Sequence, residues 1–272
     1  MTPAGAPPPV EVRQGDSPIV LGLPHTGTHL PANVHAALNE RGRAIADTDW
    51  HIDRLYAGLL PGATTVRATF NRYVIDANRD PSGTSLYPGQ NTTGLVPLTD
   101  FDGAPIWDDP PDAAETERRR AAFHAPYHAA LAAELARVKA RHGVAILYDC
   151  HSIRSHIPFL FEGTLPDFNI GTDEGRSCAP EIADAAARIC AAAKGYTSVS
   201  NGRFKGGWTT RAYGDPAQGL HAIQMELAQS AYLAAEAPPW SYDAPRAASL
   251  RAVLRRVLTA VEDLAPSLAG AP

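Results

Sequence analysis

Val144-Ala-Ile-Leu-Tyr-Asp149-Cys150-His151-Ser152 is the stretch whose reading decides the fold. An apolar run follows Gly143 and breaks abruptly into an aspartate, a cysteine and a histidine. A short apolar run bounded by glycine reads as a strand buried on both faces, the kind found inside a parallel sheet. Polar groups at its carboxyl end stand where open α/β sheets bind their ligands. The design recurs upstream in Pro18-Ile-Val-Leu-Gly-Leu-Pro24-His25-Thr-Gly-Thr-His29, a strand that ends in a histidine and a glycine turn. Two strand-end histidines on one sheet edge can meet in space, which is how a metal site is assembled in such a fold.

Outward from these two strands, elements alternate. Further strand-like runs cover Thr64–Thr69, Tyr73–Ile75 and His221–Leu227, and helical spacing is expected over Ala32–Glu40, Asp49–Leu60, Ala114–Ala140, Pro180–Ala193 and Ala244–Leu264. Pro126 should kink or divide the third helix. The alternation predicts an α/β fold with a mostly parallel central sheet, in one domain over residues 1–272 with residues 1–15 and 266–272 as flexible ends. The stretch Asp80–Pro111 has little periodicity and exceeds ordinary loop lengths, which favours a functional loop.

Composition narrows the class. A net charge of −5 and the lack of a basic run exclude a phosphate track, so no nucleic-acid partner is expected. The opening Met-Thr-Pro-Ala-Gly-Ala-Pro-Pro-Pro has no secretory pattern, and no apolar run is long enough to span a bilayer. Three cysteines without a C-x-x-C pair give neither a disulfide framework nor a thiolate zinc cluster. The expectation is a cytoplasmic enzyme acting away from membranes.

Four polar clusters stand out from ordinary caps and surface ion pairs. In Asp47-Thr-Asp49-Trp-His51-Ile-Asp53, Asp47 or Asp49 can cap a helix, but Asp53 lies beyond a first turn. Asp53 is therefore a plausible third metal ligand, since catalytic zinc sites use three protein groups, and Asp49 stands second. Arg72-Tyr-Val-Ile-Asp76-Ala-Asn78-Arg79 offers two planar guanidinium forks for a carboxylate or a carbonyl. The loop Asn201-Gly-Arg203-Phe-Lys205-Gly-Gly-Trp-Thr-Thr-Arg211 combines paired glycines with three cations and suits an anionic substrate. In His221-Ala-Ile-Gln224-Met-Glu226-Leu, a glutamate on an apolar strand is rare unless it is paired or functional.

Taken together, Pro24-His25-Thr-Gly, Asp47–Tyr56, Asn71–Arg79, Tyr87–Gly94, Asp149–Ser152, Gly202–Gly207 and Gln224–Gln229 resemble the N-formylglutamate amidohydrolase (N-formylglutamate deformylase) family, over most of the chain. That family looks related to zinc carboxypeptidases and aspartoacylases. The resemblance implies a three-layer α/β/α fold of the phosphorylase/hydrolase-like kind and one Zn2+ per chain, although other divalent ions suit the same donors. It implies His25, His151 and an acid on the metal, with Asp53 as first choice. It implies Glu226 for proton transfer, Arg72 for the oxyanion, and Asn78 with Arg79 for a substrate carboxylate; Arg203, Lys205 and Arg211 are placed near substrate by the charge of their loop. The implied reaction converts N-formyl-L-glutamate to formate and L-glutamate in histidine degradation. Other N-acyl or N-formimino acidic amino acids are alternatives. The chain departs from the family at Ala212, where His is expected, and at Val96, where Cys is expected; both positions are read as lining substrate.

Two rivals come from other classes. A cysteine hydrolase would use Cys150, but adjacent strand residues such as Cys150 and His151 point to opposite faces. A non-catalytic binder of an anionic metabolite would have no need of Glu226 as an acid–base group.

Overall fold

The computed structural model describes residues 5–85 and 89–269. Seven strands, β1 (Val10–Arg13), β2 (Ile19–Leu23), β3 (Thr64–Ala68), β4 (Ala145–Ile153), β5 (Phe168–Gly171), β6 (Ser198–Ser200) and β7 (Leu220–Ala228), form one sheet in the order β1-β3-β2-β4-β7-β5-β6. β3, β2, β4 and β7 run parallel, whereas β1 and β5 join antiparallel to β3 and β7. The helices are α1 (Ala32–Ala37), α2 (Glu40–Arg43), α3 (Ile52–Tyr56), α4 (Ala113–Arg119), α5 (Ala125–His142), α6 (Pro180–Ala191), α7 (Trp208–Tyr213) and α8 (Ala244–Leu268). Among the described residues, no helix is long and apolar enough to cross a membrane.

The sheet separates two cores, which gives the three layers. Ile146, Tyr148 and Cys150 of β4 pack with α3, α6 and α8, while Ala145 and Leu147 pack with α1 and α5. All nine residues of β4 are buried, as the unbroken apolar run requires. Complete burial of Ile146 or Leu147 is worth roughly 1.5–3 kcal/mol each. Gly143 makes the sharp exit from α5 into this strand at φ 74°, a left-handed position that favours glycine.

Pro126 acts as expected, by dividing its helix. Its ring nitrogen cannot donate to the preceding turn, so the chain widens into a π turn over Arg120–His124 before α5 begins.

Several expectations are corrected. Tyr73–Ile75 is a buried turn rather than a strand, because the Asn71 side chain accepts from the Tyr73 N–H and the Asn71 carbonyl from the Val74 N–H. The helix expected over Asp49–Leu60 shrinks to α3, because His51 takes a left-handed conformation at φ 60°. The supposed loose end before residue 15 supplies the edge strand β1, and α8 runs through to Leu268. Tyr87 and Pro88 of the 87–94 motif lie outside the described residues.

Candidate active site and metal centre

β2, β4 and β7 are parallel neighbours, so their carboxyl ends share one edge, and the reactive side chains collect there. Register sets Asp149 beside Gln224 and His151 beside Glu226. Alternation then sends all four to the α5 side of the sheet, since Ala145, Leu147 and Ala222 belong to that core. Cys150 faces the opposite core, fully buried, and burial pushes its thiol well above the ordinary range. A thiolate there has no route to His151, which removes the cysteine-hydrolase reading.

His25 follows β2, and Asp49 reaches it from the bend before α3. The Asp49 N–H donates to the His25 carbonyl (3.1 Å), and Asp49 Oδ2 accepts from the Ser152 N–H (3.0 Å). His25 Nδ1 lies 3.2 Å from His151 Nδ1, and Asp49 Oδ2 lies 3.8 and 3.3 Å from these two nitrogens. The three groups could together hold a metal ion. Each far nitrogen faces a carboxylate: His25 Nε2 is 2.7 Å from Asp76 Oδ1, and His151 Nε2 is 3.0 Å from Asp149 Oδ2. The 2.7 Å contact with Asp76 assigns the His25 proton to Nε2, while His151 Nε2 has both Asp149 and the Asn78 Nδ2 amide (3.2 Å) against it; the two Nδ1 atoms and a carboxylate oxygen converge.

Asp53 does not join this group. It stands 45% exposed in α3, 3.5 Å from Arg67, in a groove beside β1. The i, i+4 rule that pairs it with Asp49 holds only within a helix, and His51 interrupts that helix.

Further buried polar groups surround these three. Arg72 is 5% exposed, donating to Asp76 Oδ2 (3.0 Å) and to the Asp47 carbonyl (3.1 Å), with Asp49 Oδ1 at 3.6 Å. Asp47 itself accepts from the Tyr73 hydroxyl and the Phe101 N–H, which holds the Phe101 ring over the Arg72 guanidinium. Glu226 accepts from Gln224 Nε2 at 3.0 Å, and Gln224 in turn accepts from the Gly207 N–H. Burial, aided by Asp49 and Asp149, pushes the Glu226 carboxyl up to about 7 against the pull of His151 and Arg72. Gly207 passes so close to Asn78 that a Cβ would fall 2.3 Å from the Asn78 amide nitrogen.

Arg79 lines the cleft, with its guanidinium braced on the Thr93 carbonyl (2.9 Å) and hydroxyl (3.1 Å). Arg203 lines it from another loop, donating to the carbonyls of Leu160 and Asn91. Lys205 and Arg211 do not line it; they pair with Glu174 and Asp173 near the surface. Val96 packs in the α5-side core and Ala212 is exposed, so neither departure lines the cleft. Sequence reasoning misses Asp76 as the partner of His25; the signal is an acid closing the apolar run Tyr73-Val-Ile, four residues after Arg72. Phe101, Asn91 and Thr93 come from the long aperiodic stretch, whose residues carry no spacing that reveals a role.

Residues 17–233 match the family model described as N-formylglutamate amidohydrolase. An N-formylglutamate deformylase of Pseudomonas aeruginosa is 50% identical over 250 residues, covering 90% of this chain and 93% of that protein. One of Pseudomonas putida is 46% identical over 251 residues, covering 91% and 93%. A crystal structure of N-formylglutamate amidohydrolase from Ralstonia eutropha superposes with a TM-score of 0.77 at 29% identity, covering 93% of this chain and 97% of the other. A protein of Agrobacterium tumefaciens, 20% identical with a TM-score of 0.71 over 94% and 95%, shares the fold.

Proposed function

Because this chain belongs to the N-formylglutamate amidohydrolase family and is a hydrolase of an amide bond, we propose that it removes the formyl group from N-formyl-L-glutamate in a metal-dependent reaction. The observation that carries the metal is the convergence of His25 Nδ1, His151 Nδ1 and Asp49 Oδ2. Three such atoms so close repel one another unless a cation or a shared proton lies among them, and two imidazoles with one carboxylate are a donor set that suits a divalent ion. Charge points the same way: Asp49, Asp76 and Asp149 are all buried here, while Arg72 meets Asp49 and Asp76 and Arg79 comes within 3.9 Å of Asp76 alone. A divalent ion, zinc in the first instance, would lower the pKa of a water toward ~7 and polarise the formyl carbonyl.

The chain's own residues supply the rest. Glu226, poised near neutrality by burial, takes a proton from the attacking water and returns it to the amine nitrogen as the C–N bond breaks. Arg72 stands beside the three ligands with its charge fixed by Asp76, ready for the negative charge that grows on the carbonyl oxygen. Asp76 holds the His25 imidazole in one tautomer and orientation, and Asp149 sets a negative charge 3.0 Å from the far nitrogen of His151. Arg79 and Arg203, on two sides of the cleft, suit a substrate with two carboxylates. Histidine degradation as the setting rests on the family resemblance alone.

The experiment is turnover of N-formyl-L-glutamate by metal-analysed protein. We expect about one divalent ion per chain, loss of activity on chelation and recovery with zinc. Full activity in metal-free protein would overturn the metal centre, and faster turnover of an N-acetyl or N-formimino analogue would overturn the substrate.

A further inference from the structure

Next to Asn78 and Arg79 lies a group of rings with no part in the chemistry above. His124 ends the π turn and His128 stands one turn further, in α5, both nearly enclosed at 2% and 8% exposure. His124 Nε2 lies 3.0 Å from the Arg79 carbonyl oxygen, and His128 Nε2 lies 2.8 Å from the Ala77 carbonyl oxygen. A carbonyl oxygen only accepts, so both rings carry their proton on Nε2. His128 Nδ1 is then the acceptor for the Tyr213 hydroxyl at 3.0 Å. The Trp208 ring meets His128 edge-on at 4.6 Å, and the next residue, Thr209, donates its N–H to Asn78 Oδ1 at 2.9 Å.

The carbonyls on either side of Asn78 are thus gripped by two imidazoles, while its side chain is gripped by α7. The segment they grip is a turn, without the ladder of a strand to fix it. Its product is a defined direction for two side chains: the Asn78 amide, 3.2 Å from His151 Nε2, and the Arg79 guanidinium in the cleft. Apolar rings at 124 and 128 would fill the same space without giving either carbonyl a donor. Burial, with help from His124, holds His128 down to about 3, so its ring stays neutral at any working pH.

We propose that His124 and His128 are positioning residues, which aim Arg79 at the substrate carboxylate by holding the carbonyls on either side of Asn78. This rests on the reading of Arg79 as a carboxylate-binding residue. The test compares N-formyl-L-glutamate with its two mono-amides in wild type, Arg79→Lys, His128→Phe, His128→Gln and His124→Phe, each checked by thermal melting. Arg79→Lys keeps the charge but loses the planar fork, so it should cost the diacid ~10-fold and spare the mono-amide that lacks the gripped carboxylate. His128→Phe should raise KM for the diacid by ~10-fold with kcat within ~3-fold, and spare that same mono-amide. His128→Gln puts an N–H donor back within reach and should recover most of the loss. His124→Phe should act in the same direction, and it decides the matter if His128→Phe does not fold. A folded His128→Phe with unchanged KM, or with equal losses on all three substrates, overturns the clamp alone when Arg79→Lys is selective. Equal losses in Arg79→Lys overturn the Arg79 reading and the clamp with it.

Discussion

Two arginine-bearing segments, Arg72–Arg79 and Arg203–Arg211, look alike in sequence and differ in where their charge resides. In the first, Arg72 is enclosed among Asp47, Asp49 and Asp76, and removing one partner leaves an uncompensated buried charge. In the second, Lys205 and Arg211 meet Glu174 and Asp173 at the surface, where water and salt screen the pairing. Arg203 belongs to the second segment but borders the cleft. The difference is one of enclosure rather than residue type: the same kind of charge is buried among acids in one segment and paired near the surface in the other.

The sharpest way to break this contrast uses two aspartates four residues apart. Asp49→Asn should lose the metal and at least ~1000-fold in turnover, since it removes an enclosed anionic ligand, whereas Asp53→Asn should stay within ~2-fold. Elemental analysis and kcat/KM on both proteins check this, and the reverse order would restore Asp53 as ligand. Next in size, Glu226→Gln should keep the metal and lose ~100-fold in kcat, the loss expected of a missing general base. If the metal leaves with that substitution, Glu226 is itself a ligand. At the small end, Lys205→Ala and Arg211→Ala should each leave kcat/KM within ~2-fold and the melting temperature within ~2 °C. A tenfold rise in KM for either would show that the exposed segment closes on substrate.

What could be read in the sequence follows from the same distinction. The strand-end histidines are legible because a buried apolar run that breaks into Asp149-Cys-His151 puts polar side chains at the ligand-binding edge of a parallel sheet, and β2, β4 and β7 form where such runs stand. Glu226 is legible because a carboxylate inside an apolar strand demands a partner. The acid between the histidines is hidden because helical spacing, extended from Asp49 to Asp53, crosses His51, whose left-handed backbone no periodicity reveals. The strands β5 and β6, at four and three residues, are too short for alternation to register, and β6 is Ser-Val-Ser. Tyr73–Ile75 carries strand-forming residues, yet a single Asn71 side chain bends it into a turn. Lys205 and Arg211 pass for substrate contacts because their acidic partners, Glu174 and Asp173, stand far upstream in the chain, before α6 and β6.

β4 pairs with β7 along its whole length and with β2 as far as Asp149, and every residue from Ala145 to Ile153 is buried. Its segment Ile146–Asp149 is held on both edges, so those amide hydrogens should exchange with solvent among the slowest in the sheet. His151 stands two residues past that segment, held by β7 and by its own burial, so its ring keeps its position only while this part of the sheet is intact. A ligand that grips it in the folded chain and not in the unfolded one would raise the melting temperature of the entire protein, and that rise would keep growing with free ligand after the site is full.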